Sequence, residues 1–207
     1  MRVIFFLVLA LMQLPLLAQT DVRADAVLDK ALAALKADAP VRMDYTYRVM
    51  DDDGGLLQDD KGLIYMDGNR YALLMQDMKV WCDGEVQWSY MREVDEVYIT
   101  DATSDEAQSL SPIYIMEHYR TGRAVSVVVK DGVSVVELRS LAADVAECVQ
   151  LHVLESNNRL VAMSIDMPGQ GCVEVLLDGY TANCGADSSV FTCPVDEFST
   201  AEVVDMR

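Results

Sequence analysis

Basic residues and histidines are scarce in this chain, and their scarcity excludes some functions. The 207 residues include 16 Lys and Arg against 34 Asp and Glu, so the formal net charge is −18. A surface this acidic repels the phosphates of nucleic acids and anionic lipid head groups. We therefore expect no nucleic-acid partner.

Catalytic and metal-binding patterns are missing as well. The two histidines, His118 and His152, stand far apart and show no spacing typical of metal ligands. The sequence has no G-x-S-x-G nucleophile motif and no glycine-rich phosphate loop. The acidic stretch "MDDDGGLLQDD", residues 50–60, lacks the residue order of a calcium-binding loop and is typical of a solvated hairpin tip. The sequence predicts a protein that is not an enzyme and that needs no metal or cofactor.

One long apolar run stands near the start of the chain. Residues 3–18, "VIFFLVLALMQLPLLA", follow Arg2 and are interrupted by Gln13 and Pro15. This length and these interruptions favour a secretory signal peptide over a membrane-spanning helix, although an uncleaved anchor is the alternative. No cysteine follows the predicted cleavage site, where a lipid anchor would need one. We expect residues 1–18 to be removed and residues 19–207 to form one exported domain without a lipid anchor.

The five cysteines are an odd number for a protein of an oxidising compartment. Cys82, Cys148 and Cys172 lie in apolar, strand-like segments, which favours buried thiols that behave as small hydrophobes. Cys184 and Cys193 bracket the polar segment "CGADSSVFTC". They are the predicted disulfide.

The apolar pattern predicts two helices and eleven strands. Residues 21–40 place apolar side chains on one helical face and end at Pro40, and a short helix begins at Ser111 and ends at Gly122. The second helix is apolar on most sides, so it needs cover from more than one direction. Most of the segments between residues 41 and 180 alternate or run apolar over strand lengths, and turn residues join them. Such a series predicts an antiparallel meander, and the fold class is α+β, mostly β.

Both tryptophans lie in "KVWCDGEVQWSY", residues 79–90. A two-residue turn at Asp83-Gly84 would put Trp81 and Trp88 on one face of the sheet. A three-residue loop at residues 67–69 and a tight turn at residues 76–77 would align an apolar row on the other face. That row is Leu63, Tyr65, Tyr71, Leu73, Met75, Met78 and Val80. The face of the tryptophans would also carry Ile64, Met66, Ala72 and Leu74.

A sheet that is apolar on both faces has two explanations. Antiparallel sheets usually expose one face to water, and this chain offers two helices to cover both. Either the sheet has a filled core, or one face encloses a cavity for an apolar ligand. The residues alone leave both open.

Three segments resemble the outer-membrane lipoprotein carrier family, LolA. They are "GLIYMDGNRYALLM" at 62–75, "VWCDGEVQWSYMREVDEV" at 80–97 and "VFTCPVDEFSTAEVVDMR" at 190–207. The first is similar to a strand pair of the family, the second to its D-G-x-x-x-W-x-Y hairpin and the third to its closing segment. The resemblance covers nearly all of the predicted mature chain.

The resemblance implies an open antiparallel half-barrel of about ten or eleven strands, whose concave apolar face is covered by helices. It implies a soluble, monomeric periplasmic chaperone that carries the acyl chains of lipoproteins from the inner to the outer membrane. Its partners would be acylated lipoproteins, an inner-membrane releasing transporter and an outer-membrane acceptor. A carrier or sensor of another lipid and a structural or interaction protein without a ligand are the alternatives.

The resemblance also assigns residues to a site. The acyl-chain cavity would be lined by Tyr45, Tyr47, Leu63, Tyr65, Tyr71, Leu73, Met75, Met78 and Val80. The lid over it would contain Ile113, Tyr114, Met116 and Tyr119. Many members of the family have an arginine that bonds the lid, and Gly68 stands at that position here. We therefore expect closure of the lid to depend mainly on apolar burial.

Overall fold

The computed structural model describes residues 21–104, 107, 112–118, 123–141 and 147–207. Within them, helices α1 (Val22–Ala37) and α2 (Pro112–His118) accompany a single sheet of twelve strands. The first six strands are β1 (Val41–Met50), β2 (Leu56–Asp67), β3 (Arg70–Leu74), β4 (Met78–Cys82), β5 (Val86–Met91) and β6 (Glu96–Asp101). The others are β7 (Arg123–Lys130), β8 (Val133–Ser140), β9 (Cys148–Leu154), β10 (Arg159–Met167), β11 (Gly171–Thr181) and β12 (Glu202–Asp205).

The strand order across the sheet is β12-β6-β5-β4-β3-β2-β1-β11-β10-β9-β8-β7. Neighbouring strands are antiparallel, except that β12 is parallel to β6. The sheet is open because β12 and β7 stand at its two ends. The predicted half-barrel class is confirmed. The strand that the sequence pattern missed is β12, a four-residue strand whose partner is distant in sequence.

Helix α1 is capped at both ends. The Asp21 carboxylate accepts a hydrogen bond from the N–H of Arg23 at 3.0 Å, and Asp38 closes the other end. Its buried residues Ala24 and Leu28 pack on a cluster from β7, β8 and β9. The side of the sheet on which α1 and α2 lie is called the inner face below, and the opposite side the outer face.

The tryptophans belong to the outer face. Trp81 pairs directly with Trp88 across β4 and β5, so both side chains point the same way, as predicted. Phe198, from one of two 3-10 turns that precede β12, packs on the same face in their cluster. Its ring centroid lies 5.5 Å from that of Trp81 and 4.4 Å from that of Tyr90. The two tryptophans therefore form the surface on which the C-terminal segment packs.

The turn between β2 and β3 is one residue shorter than predicted. Asp67 pairs with Arg70, which leaves Gly68 and Asn69 in the turn. Gly68 has a φ of +60°, a conformation that glycine adopts without steric cost. The predicted three-residue loop is wrong.

This one-residue difference changes which side chains of β2 face inward. A shift of one residue moves a strand's side chains to the opposite face of the sheet. Leu63 and Tyr65 therefore lie on the outer face, where Leu63 pairs with Leu74. Ile64 and Met66, which were predicted for the outer face, lie on the inner face.

The turn between β4 and β5 also differs from the prediction, but without this consequence. The Asp83 carboxylate accepts a hydrogen bond from the N–H of Glu85 at 2.9 Å, and Gly84 and Glu85 form the turn. The partner of Trp81 is therefore Trp88, two positions after Val86, the partner that a turn at Asp83-Gly84 predicts. A two-residue shift leaves every side chain on its predicted face.

The predicted disulfide is absent, because all five cysteines are free thiols in the structure. Cys184 lies beside the start of β1, where its N–H donates to the Pro40 carbonyl oxygen at 2.8 Å. Cys193 is buried on the outer face in the cluster of Ala72 and Trp81. Their spacing in sequence suggested a bridge, but the two residues pack in different surroundings.

The two thiols should differ strongly in reactivity. Burial, with a smaller contribution from Glu197, raises the pKa of Cys193 to about 11. A thiol with this pKa is roughly 0.1% ionised at pH 8, and the thiolate is the reactive form. Alkylation of the folded, unreduced protein at pH 8 should modify the half-buried Cys184 well before Cys193. Resistance of both until a reductant is added, with the two peptides joined in a non-reducing digest, would instead establish the disulfide.

Candidate functional site

A cavity of about 230 Å³ lies between the inner face and the two helices. Its described lining is aliphatic, aromatic or thioether, with one arginine as the exception. The lining residues are Ala31, Leu35, Met43, Tyr45, Tyr47, Ile64, Met66, Leu73, Met75, Met116, Leu151, Arg159, Leu160, Met163, Val175, Leu177 and Tyr180.

The strand register brings these side chains together. Residues directly opposite each other on paired strands point to the same face. Ile64 on β2 lies opposite Met43 on β1 and Leu73 on β3, and Val175 on β11 lies opposite Met163 on β10. The cavity therefore runs across the middle of the sheet, and strands from both halves of the chain form its floor.

Tyr45 gives the floor of the cavity an aromatic surface. Its ring lies across Gly62, since a Cβ atom at that glycine would stand 2.6 Å from the Tyr45 Cζ atom. Burial, with smaller effects of Tyr47 and Asp60, raises the pKa of Tyr45 to about 12. The phenol is therefore neutral at physiological pH, and the wall around it stays uncharged.

Five methionines make the lining adaptable. They are Met43, Met66, Met75, Met116 and Met163. Methionine is unbranched and polarisable, so it fits apolar partners of varied shape better than branched side chains do. The cavity can therefore adjust to the ligand that it encloses.

The predicted cavity residues divide into three groups. Those that line the cavity are Tyr45, Tyr47, Leu73 and Met75. Those that belong to the adjoining inner-face cluster are Tyr71, Met78 and Val80. Leu63 and Tyr65 lie on the outer face, because of the shorter turn between β2 and β3, so the structure contradicts their predicted place.

Tyr71 contributes to a neighbouring polar contact rather than to this cavity. Its buried hydroxyl donates to the Gln87 side-chain oxygen and lies 3.1 Å from the Ala107 carbonyl oxygen. Burial raises the pKa of Tyr71 well above its ordinary value. A second cavity of about 220 Å³ borders this side chain and includes Cys82 and Tyr114.

Helix α2 covers part of the inner face. Ile113 and Met116 are buried, and Met116 also lines the cavity. Tyr114 is half-buried, and Tyr119 lies outside the described residues. The Lys36 ammonium and the Glu117 carboxylate, 2.8 Å apart, join α1 to α2, but the lysine side chain is 51% exposed.

Apolar contacts dominate the attachment of α2. An ion pair as exposed as Lys36–Glu117 typically contributes less than about 1 kcal/mol. Arg70, which follows the Gly68 turn, forms an ion pair with Asp67 and lies 4.9 Å from the centroid of the Phe191 ring. It points to the outer face, so it does not replace the lid-bonding arginine that the resemblance implies.

Most of the lining was not predicted from the sequence. Leu151, Leu160, Met163, Val175 and Leu177 come from β9, β10 and β11. The alternation of apolar residues in β10 and β11 was a usable signal for which side chains share a face. To place these side chains in the cavity, one must also know that β11 pairs with β1, the first strand of the sequence.

Neither a metal site nor a membrane-spanning helix is found in the described residues. Their His, Cys, Asp and Glu side chains form no group of three that could hold a metal ion. In the same part of the chain, no helix has the length and apolar character required to cross a bilayer.

An open sheet that holds an apolar cavity under helices is typical of proteins that enclose apolar ligands. Residues 14–166 match the model of a family described as outer membrane lipoprotein carrier protein LolA. This match covers most of the chain, and the protein belongs to the LolA family.

Solved structures are similar to this chain, and those with TM-scores above 0.5 support the same fold. An uncharacterised conserved protein from Thermus thermophilus matches 88% of this chain and 99% of its own, with 11% identity and a TM-score of 0.57. MucB matches 89% of this chain and 66% of its own, with 11% identity and a TM-score of 0.52. A LolA superfamily protein from Nitrosomonas europaea matches 83% and 98%, with 13% identity and a TM-score of 0.44. A comparison with curated proteins found no match.

Proposed function

We propose that this protein is a periplasmic carrier that binds the acyl chains of lipoproteins and transports them from the inner to the outer membrane. The observation that carries the proposal is the cavity, whose described lining is apolar except at Arg159. Transfer of an acyl chain out of water is worth about 0.8 kcal/mol per methylene, or roughly 10 kcal/mol for a palmitoyl chain. The costs of association and of ordering the chain and the lid offset part of this gain, and the remainder is the affinity.

Helix α2 acts as the lid in this proposal. Ile113 and Met116 are buried against the inner face, and their burial is the main force that holds the helix closed. Apolar contact is not directional, so a chain that enters the cavity can take over part of the contact. The adaptable methionines make room for it.

The remaining features fit transport between membranes. Residues 1–18 act as a cleaved export signal, and the large negative charge of the remaining chain keeps the carrier from adsorbing to anionic membranes. Loading and release are then left to protein partners, an inner-membrane transporter and an outer-membrane acceptor. The protein itself catalyses no reaction, and it works as a monomer.

Native mass spectrometry of the protein isolated from its own periplasm tests the proposal. We expect a population that retains an acylated polypeptide. A free lipid in its place would favour a carrier or sensor of that lipid. Absence of any apolar ligand, together with a failure of the purified protein to bind acyl probes, would favour a structural or interaction protein.

A further inference from the structure

Arg159 interrupts the apolar lining at one end of the cavity. Of the described lining residues it alone carries a charge. Its Nε and Nη2 atoms donate to the Asp38 Oδ2 atom at 3.2 Å and 2.9 Å. Its Cζ atom lies 4.0 Å from the centroid of the Tyr180 ring, and the Tyr180 hydroxyl donates to the same carboxylate oxygen at 3.0 Å. The guanidinium is therefore held in place by an ion pair and a ring.

This arrangement leaves donor capacity unused. A guanidinium has five N–H donors in a planar fork. Two of these donors, one on Nε and one on Nη2, bond Asp38, and the Arg159 side chain is 32% exposed. An oriented donor at the wall of an apolar cavity is suited to an acceptor on the ligand that the cavity encloses.

We propose that Arg159 binds the carbonyl oxygen of a neutral ester or amide head on the acyl chain, in preference to a free carboxylate. The inference rests on the proposed function and names the part of the ligand that the apolar lining cannot recognise. Asp38 already supplies one negative charge to this guanidinium. A fatty-acid carboxylate would place a second anion next to the first, and like charges that close repel each other. An ester or amide oxygen accepts the hydrogen bond without that repulsion.

The cluster of Arg159, Asp38 and Tyr180 also has a structural role, and the test must distinguish it from head-group binding. Asp38 caps the end of α1 and thereby fastens the helix to β10 and β11. Loss of a structural clamp would reduce the affinity for every ligand alike. Loss of a head-group contact would reduce the affinity for the ester and the amide selectively.

The experiment compares palmitate with its methyl ester, two probes with the same chain and different heads. Each displaces a fluorescent acyl probe from the stripped, full-length protein, at low salt and at a pH where palmitate is ionised. The variants are Arg159→Met and Asp38→Asn. The control is Arg139→Met, since that side chain on β8 is 62% exposed and pairs with Glu137. Circular dichroism verifies that each variant folds. If Arg159→Met does not fold, Arg159→Lys replaces it in the test, because lysine keeps the charge but lacks the planar fork.

The unsubstituted protein should bind the ester more tightly than palmitate. Arg159→Met should reduce the affinity for the ester about tenfold, as expected for the loss of one hydrogen bond from a charged donor. Arg159→Lys should reduce it to a smaller extent. Asp38→Asn should raise the affinity for palmitate about tenfold, because it leaves the guanidinium charge uncompensated. Arg139→Met should leave the affinity for both probes unchanged.

Equal losses for both heads in Arg159→Met, or no loss for either, would overturn the head-group assignment and leave acyl binding intact. Failure of the unsubstituted protein to bind either probe would overturn the proposed function together with this inference. The two failures are therefore distinguishable.

Discussion

Leu73→Glu should abolish acyl-chain binding while the protein remains folded. Leu73 lines the cavity and lies between Ile64 on β2 and Val80 on β4. An unpaired carboxylate in an apolar site costs several kcal/mol, and this cost is subtracted from the binding free energy of the chain. The loss of affinity should be at least about 100-fold, equivalent to roughly 3 kcal/mol. Retention of a fluorescent acyl probe measures it, with circular dichroism as the test of folding.

Two variants carry the same chemical change at other places. Leu57 is 67% exposed on β2, so Leu57→Glu should affect neither binding nor folding. Leu74 follows Leu73 but packs on the outer face, so Leu74→Glu should reduce stability rather than binding. A folded Leu73→Glu that binds normally, beside a folded Leu74→Glu that does not, would show that the ligand occupies the outer face.

Phe191→Ala should reduce the free energy of unfolding by about 3–5 kcal/mol, the usual cost of removing a buried phenylalanine. Phe191 is 0% exposed and lies in the 3-10 turn that packs against β3 and β4. Loss of its ring leaves a hole beneath the C-terminal segment and removes the surface that the Arg70 guanidinium covers. Urea denaturation should show a lower midpoint with an unchanged slope.

An exposed residue of the same segment provides the comparison. Val195 is 55% exposed, so Val195→Ala should change stability by no more than about 0.5 kcal/mol. Under conditions where Phe191→Ala remains folded, it should still bind the acyl probe. Loss of binding without loss of stability would contradict the interpretation of the outer layer as a scaffold.

Local patterns predicted most of the fold. Strand β1 was predicted because its apolar residues alternate without interruption, and α1 was predicted because Asp21 and Pro40 mark its ends. The β2–β3 register failed because "DGN" is compatible with a two-residue or a three-residue turn. That difference decided the face of Leu63 and Tyr65.

The site was harder to predict because half of it depends on contacts between distant segments. Tyr45 and Tyr47 on β1 and Leu73 on β3 belong to one run of strands joined by turns, which constrain their register. Val175 reaches the same cavity because β11 pairs with β1. Similarly, the ion pair of Arg159 with Asp38 joins the start of β10 to the end of α1. Neither pairing has a signal in the local sequence.

Photo-crosslinking would locate the acyl chain most directly. A palmitoyl probe with a diazirine in the chain is bound to the stripped protein, irradiated, and mapped by mass spectrometry of the digest. We expect saturable labelling of inner-face strands at Met43, Leu73, Met163 and Val175, with protection by unlabelled palmitoyl ester. Labelling that concentrates on the outer-face residues Trp81 and Trp88, or that does not saturate, would contradict binding in the cavity.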